Sequence, residues 1–198
     1  MLDPSNLIAS YIPDFNHEGM LPPMSPGDPT SPYRSPYHVS FYDLVCRFGT
    51  SDQRCDILRG FVHFRHNLFR NGFSGFQWID GSFMQNLTGR EPNDIDVVTF
   101  VEHNINEHLL KKIIIDDKLI THTGSKKRYC CDSYMVDISY SIERQFIVEH
   151  TAYWYSLFSH TRDNIWKGMI QIDLPESAKE FDFYMALIRW RQQYELAH

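Results

Sequence analysis

The chain has 198 residues, of which 42% are hydrophobic and 22% charged; this excludes wholesale disorder and allows one domain with its own core. Its formal net charge of −6 excludes a globally basic nucleic-acid surface, so any such contact has to use a local patch. No apolar run reaches the roughly 18 residues of a membrane span, the N-terminus lacks the features of a secretory leader, and Cys46, Cys55, Cys130 and Cys131 form no CxxC. These features predict a cytoplasmic protein with reduced thiols.

Eight of the ten prolines fall in residues 1–36. Residues 1–40 are therefore expected to form an extended arm, poor in hydrogen bonds, whose apolar Ile8, Tyr11, Ile12, Phe15, Met20 and Leu21 pack it along a main domain at 41–198. Ser51 as N-cap and Asn71-Gly72 as terminator bound a helix over 51–71, with Ile57, Leu58, Phe61, Val62, Phe64, Leu68 and Phe69 at helical spacing. FQWID at 76–80 reads as a strand, Gly81-Ser82 as a sharp turn into a short helix at 83–87, and 88–93 as a loop. A strand follows at 94–101 and a helix at 105–116. GSKKR at 124–128 reads as a solvated turn, ahead of a strand at about 129–140 and a helix at 144–159. MIQIDL gives a last strand, and Pro175 suits the first position of a closing helix that buries Phe181, Tyr184, Met185 and Ile188. Mixed strands and helices predict an α/β (α+β) fold, a small mixed sheet flanked by helices.

The chemistry gathers in Trp78-Ile79-Asp80-Gly81-Ser82-Phe83 and Asn93-Asp94-Ile95-Asp96-Val97-Val98. Residues i and i+2 of a strand share a face, so Asp94 and Asp96 set two carboxylates side by side. Unpaired, they repel; a divalent cation removes that penalty, and oxygen ligands favour Mg²⁺ or Mn²⁺, often shared with substrate phosphates. Gly81 permits close backbone approach to a ligand, and a helix starting at Ser82 would offer N–H groups to a phosphate. Asp137, among apolar neighbours in Tyr134-Met135-Val136-Asp137-Ile138, is preferred as third carboxylate over Asp132, which faces the other side of a regular strand. Asp80 reads as a turn residue. His63 and His66, three apart on a helix, read as ordinary helix residues, and no zinc spacing is present.

Gly81-Ser82 followed by Asp94-Ile95-Asp96 resembles the signature of the nucleotidyltransferase superfamily related to DNA polymerase beta, in which a later strand carries a third acid, here matched to Asp137. This core spans about 60 of the 198 residues. More of the chain is similar to a bacterial family of uncharacterised nucleotidyltransferase-like proteins: Ile12-Pro13-Asp14-Phe15-Asn16 with Gly19 and Leu21-Pro22-Pro23, then Ile79 to Phe83, Pro92 to Asp96, Tyr153-Trp154-Tyr155, Thr161-Arg162-Asp163 and Lys167-Gly168. The resemblance implies a minimal nucleotidyltransferase fold and metal-dependent transfer of a nucleoside monophosphate from an NTP to a hydroxyl on a protein, an RNA end or a small molecule. It further implies Asp94, Asp96 and Asp137 as catalytic metal ligands for Mg²⁺ or Mn²⁺, and Gly81, Ser82, Arg162 and Lys167 as nucleotide-binding residues.

Two other readings compete. Asp94-Ile95-Asp96-Val97-Val98-Thr99 resembles the first motif of haloacid-dehalogenase-type phosphatases, but that motif ends a buried strand, and Thr88 to Asn93 cannot form one. The alternative from another class is a catalytically silent nucleotide-binding protein of the same fold, or one half of a toxin–antitoxin pair with a protein partner; loss of the metal-ligand carboxylates would favour it, and this chain keeps them.

Overall fold

The computed structural model describes residues 11–25, 27–86, 88–116, 119, 122–175 and 177–195, without the side chains of 116, 122 and 195. Ile8 lies outside this set, as does residue 87 of the expected short helix. The elements are β1 (Tyr37–His38), α1 (Phe41–Phe48), α2 (Asp52–Arg70), β2 (Ser74–Asp80), a 3-10 turn (Ser82–Met84), β3 (Ile95–Glu102), α3 (Glu107–Asp116), α4 (His122–Tyr129), β4 (Cys131–Asp137), α5 (Arg144–Phe158), β5 (Ile170–Asp173) and α6 (Ala178–Trp190), which ends in a π turn at Arg191–Glu195. The fold is α+β, as the mixed pattern predicts. No described helix is long and apolar enough to cross a membrane.

The five strands form one mixed sheet in the order β1-β5-β2-β3-β4. β2 is antiparallel to β3 and β5, whereas β4 is parallel to β3 and β1 to β5. Alternation along the strands divides the interior in two. Ile79, Ile95, Val97, Val101, Cys131, Ile170 and Ile172 turn to the larger core, which they share with Leu44 and Phe48 of α1, Leu58, Phe61 and Phe64 of α2 and Phe181 and Ile188 of α6. Trp78, Val98, Phe100 and Val136 turn to the opposite face, beneath Trp154 and Phe158 of α5.

Ser51 caps α2 by accepting from the Arg54 N–H, and Gly72, at φ 79°, lets the chain leave the helix. Along the arm Leu21 is fully buried, its carbonyl accepts from the Gly168 N–H at 2.7 Å, and the Tyr37 hydroxyl donates to the Pro22 carbonyl, whereas Tyr11 is exposed. The arm also supplies an edge strand, β1, which its proline content obscured.

Two local expectations fail. The closing helix does not begin at Pro175; Ser177 caps it through a reciprocal box with Glu180, a stronger start signal than proline. Residues 124–128 are not a turn but most of α4, whose helicity comes from tertiary contact rather than sequence periodicity. Ser125 and Tyr129 are buried, and the Tyr129 backbone rests on Gly60 of α2, where any Cβ would collide with it.

Candidate functional site

Strand register assembles an acidic row. Asp80 is the last residue of β2 and pairs with Asp96, near the start of β3; Asp96 in turn pairs with Asp132, near the start of β4. All three alternate onto the face that carries Trp78, Val98 and Val136, so three carboxylates stand side by side across adjacent strands, next to the α5 core. Asp94, just before β3, is also buried and forms an ion pair with Lys126 of α4.

This geometry corrects the choice of third acid. Asp137 pairs in register with Val101, at the opposite end of β4 and on the opposite face. Its carboxylate is taken by His103 Nε2 at 3.1 Å and by the Ser139 N–H at 2.8 Å. The apolar neighbours of Asp137 are visible in the sequence, whereas the register of β4 against β3 is not. A helical crossover makes β4 parallel to β3, so both strands start at the same end of the sheet and their second residues, Asp96 and Asp132, become neighbours.

The electrostatics single out Asp96. Burial pushes its carboxyl up to about 6, and the negative charges of Asp80, Asp94 and Asp132 add to that, while Lys126 opposes it. Burial also raises the Asp80 carboxyl, but the ammonium of buried Lys167 sits on it and counters the effect. Lys167 further donates to the Phe158 carbonyl at 3.0 Å. Lys167 is therefore an internal counter-charge behind the row, not a side chain open to a nucleotide, and Asp80 is more than a turn residue. The Lys126 ammonium is held charged above its usual range, chiefly by its hydrogen bond to Asp94.

Gly81 follows Asp80 with φ 84° and ψ −168°, a combination that only glycine adopts comfortably. A Cβ there would run into the Asp96 carboxylate, so the backbone itself is packed against the acidic row. The helix expected after it is a single 3-10 turn of 3 residues, too short to supply a useful dipole. Phe83 and Met84 anchor that turn in the core, and the Ser82 side chain does not cap it. Arg54 of α2 donates to the Phe83 and Gln85 carbonyls at 2.8 Å each and pairs with Glu91, and Gln53 donates to the Pro92 carbonyl. The N-terminal turn of α2 thus ties down both sides of the loop between Gly81 and Asp94.

Arg162 lies exposed in the connection from α5 to β5. Among the described residues it forms no ion pair with the row. His66 packs on the Phe181 ring at 4.2 Å, in keeping with an ordinary helix residue. Among the described residues no three His, Cys, Asp or Glu side chains stand closed enough to hold an ion as they are. All four cysteines are free thiols.

The acid set nevertheless suits a hard cation. Asp80 is paired with Lys167 and Asp94 with Lys126, and Asp96 and Asp132 stand in register beside them as further oxygen donors. An ammonium already occupies the place where positive charge is needed.

No curated protein and no solved structure matches the chain. One family model does match, over residues 13–173, a span that takes in every carboxylate of the row, all five strands and most of the arm; the chain belongs to this family, described as a family of unknown function (DUF6932).

Proposed function

We propose that the protein is a metal-dependent nucleotidyltransferase that moves a nucleoside monophosphate from an NTP to a hydroxyl acceptor. The observation that carries this reading is the half-buried Asp96 carboxylate, set between Asp80 and Asp132 in register, beside Asp94, and packed against the Gly81 backbone. Asp94, Asp96 and Asp132 would hold Mg²⁺ or Mn²⁺; Asp132 replaces Asp137 in that role. The bound ion would supply positive charge to the triphosphate and to the acceptor oxygen.

The chain's own residues supply the rest. Gly81 keeps the wall of the site free of side chain, so phosphates can approach backbone, and Ser82 adds a hydroxyl at the same edge. Arg162 offers an exposed guanidinium for phosphate charge. Lys126 holds the Asp94 carboxylate in place on the flank of the row. Lys167 keeps Asp80 ionised without reaching the substrate. Four free thiols fit a cytoplasmic setting.

The test is calorimetric NTP binding with and without Mg²⁺, on wild type and Asp94→Ala/Asp96→Ala. Metal-dependent binding that the variant loses supports the proposal and justifies assaying transfer with labelled NTPs. Failure to bind any of the four NTPs overturns it and favours the silent, partner-binding reading.

A further inference from the structure

The transfer reading leaves α4 unexplained. This helix has eight residues, buries Ser125 and Tyr129, and carries Lys126, Lys127 and Arg128 with no acid among them, in a chain whose net charge is −6. Arg128 lays its guanidinium over the Tyr129 ring at 5.2 Å and stays exposed. Lys126 points to Asp94, on the flank of the acidic row. Lys127 and Arg128 are exposed, and among the described residues neither forms an ion pair. With Thr123 and Gly124 one turn earlier they line a groove of about 470 Å³. Gly124 leaves a notch between the two long side chains. The element is not loose: Tyr129 rests on Gly60, the Asn67 amide donates to the Tyr129 hydroxyl at 2.6 Å, and the Cys130 carbonyl accepts from the Ile95 N–H at the mouth of the site.

Successive helical positions are about 100° apart, so the three cations fan around the helix from the carboxylates outward to the groove. A single phosphate meets one or two of them, whereas a chain of evenly spaced phosphates meets all three. We infer that α4 is the binding surface for a single-stranded nucleic acid whose end is delivered to the acidic row, which makes a polynucleotide the acceptor class. This rests on the transfer reading for the meaning of the delivered end, but not for the binding itself. The backbone phosphates contact Lys127 and Arg128 in the groove, and Lys126 takes the phosphate nearest the carboxylates. Positioning of this kind is sequence-independent and salt-sensitive.

The experiment is fluorescence anisotropy of labelled 12-nucleotide RNA and DNA strands against the full chain, in EDTA and without NTP, over a salt series. Wild type is compared with Lys127→Gln/Arg128→Gln and with the conservative Lys127→Arg; circular dichroism melts confirm that each is folded. Two lost phosphate contacts should weaken binding roughly tenfold and make the log–log salt dependence shallower by about 1.4, with Lys127→Arg close to wild type. Wild type that binds neither strand, or a double variant with unchanged slope, overturns the inference. Equal binding of polyglutamate, with the same loss in the double variant, also overturns it, because the groove would then recognise charge alone. Because NTP and metal are left out, the two readings fail separately: strand binding without NTP binding refutes transfer, and NTP binding without strand binding refutes this surface.

Discussion

Asp96 on β3 stands directly across the parallel ladder from Asp132 on β4, and both carboxylates face the α5 side of the sheet. Asp137, five residues further along β4, is tied to His103 at the other end. The two acids therefore answer differently to the same isosteric change. Even the outer partners of metal ligands cost about 10- to 100-fold in affinity when lost, so Asp132→Asn should weaken Mg²⁺-dependent NTP binding at least that much. Asp137→Asn should leave it within about twofold, being an alteration outside the row. Titration calorimetry on the two variants decides; the reverse order would restore Asp137 to the site.

The long elements were legible because single signals agreed in them: Ser51, the apolar spacing of α2 and Asn71-Gly72 all point to one helix, and Gly81, Asp94 and Asp96 announced the site. What stayed hidden depended on contacts distant in sequence. α4 lacks a usable apolar stripe and becomes helical where Tyr129 meets Gly60, and the register of β4 against β3 is likewise set by contacts the sequence does not display. The choice of Asp137 followed from that gap, since its apolar neighbours were visible and the register of Asp132 was not. The resemblance alone places Lys167 at a nucleotide, because its partner, Asp80, lies 87 positions away and only the fold brings the two together.

Gly81→Ala combines two penalties. The residue sits at φ 84°, where a side chain is strained by about 1–3 kcal/mol, and its Cβ would displace the Asp96 carboxylate. Urea unfolding in EDTA should show a loss of about 2 kcal/mol or more, and NTP binding should fall with it. A variant as stable as wild type would show that the backbone is not held against Asp96.

The Asp80–Lys167 pair is buried on both sides, at 9% and 5% side-chain exposure. Removing one partner of such a pair strands the other charge, at a cost of about 3–5 kcal/mol, whereas replacing both is close to neutral. Lys167→Met should therefore destabilise strongly, and Asp80→Asn/Lys167→Met should recover most of the loss in a denaturation cycle. If Lys167→Met instead keeps its stability and loses NTP binding, the lysine contacts the nucleotide directly.

Metal-free stability should depend on pH through Asp96. Its carboxyl is raised to about 6 from an ordinary 3.8, first by burial and then by its acidic neighbours. Between those values the folded chain holds a proton that the unfolded chain has released, so stability falls as pH rises through this window. The full shift corresponds to roughly 3 kcal/mol at most, and partial exposure of the carboxyl reduces it. In EDTA, wild type should lose stability from pH 4 to pH 7 relative to Asp96→Asn, which cannot ionise there. Mg²⁺ should reverse the trend near pH 7, because a cation favours the ionised form that burial penalises. Parallel wild-type and Asp96→Asn curves in urea melts across that range would show that the carboxylates do not repel one another in the folded chain, and would remove the electrostatic ground for placing a cation among them.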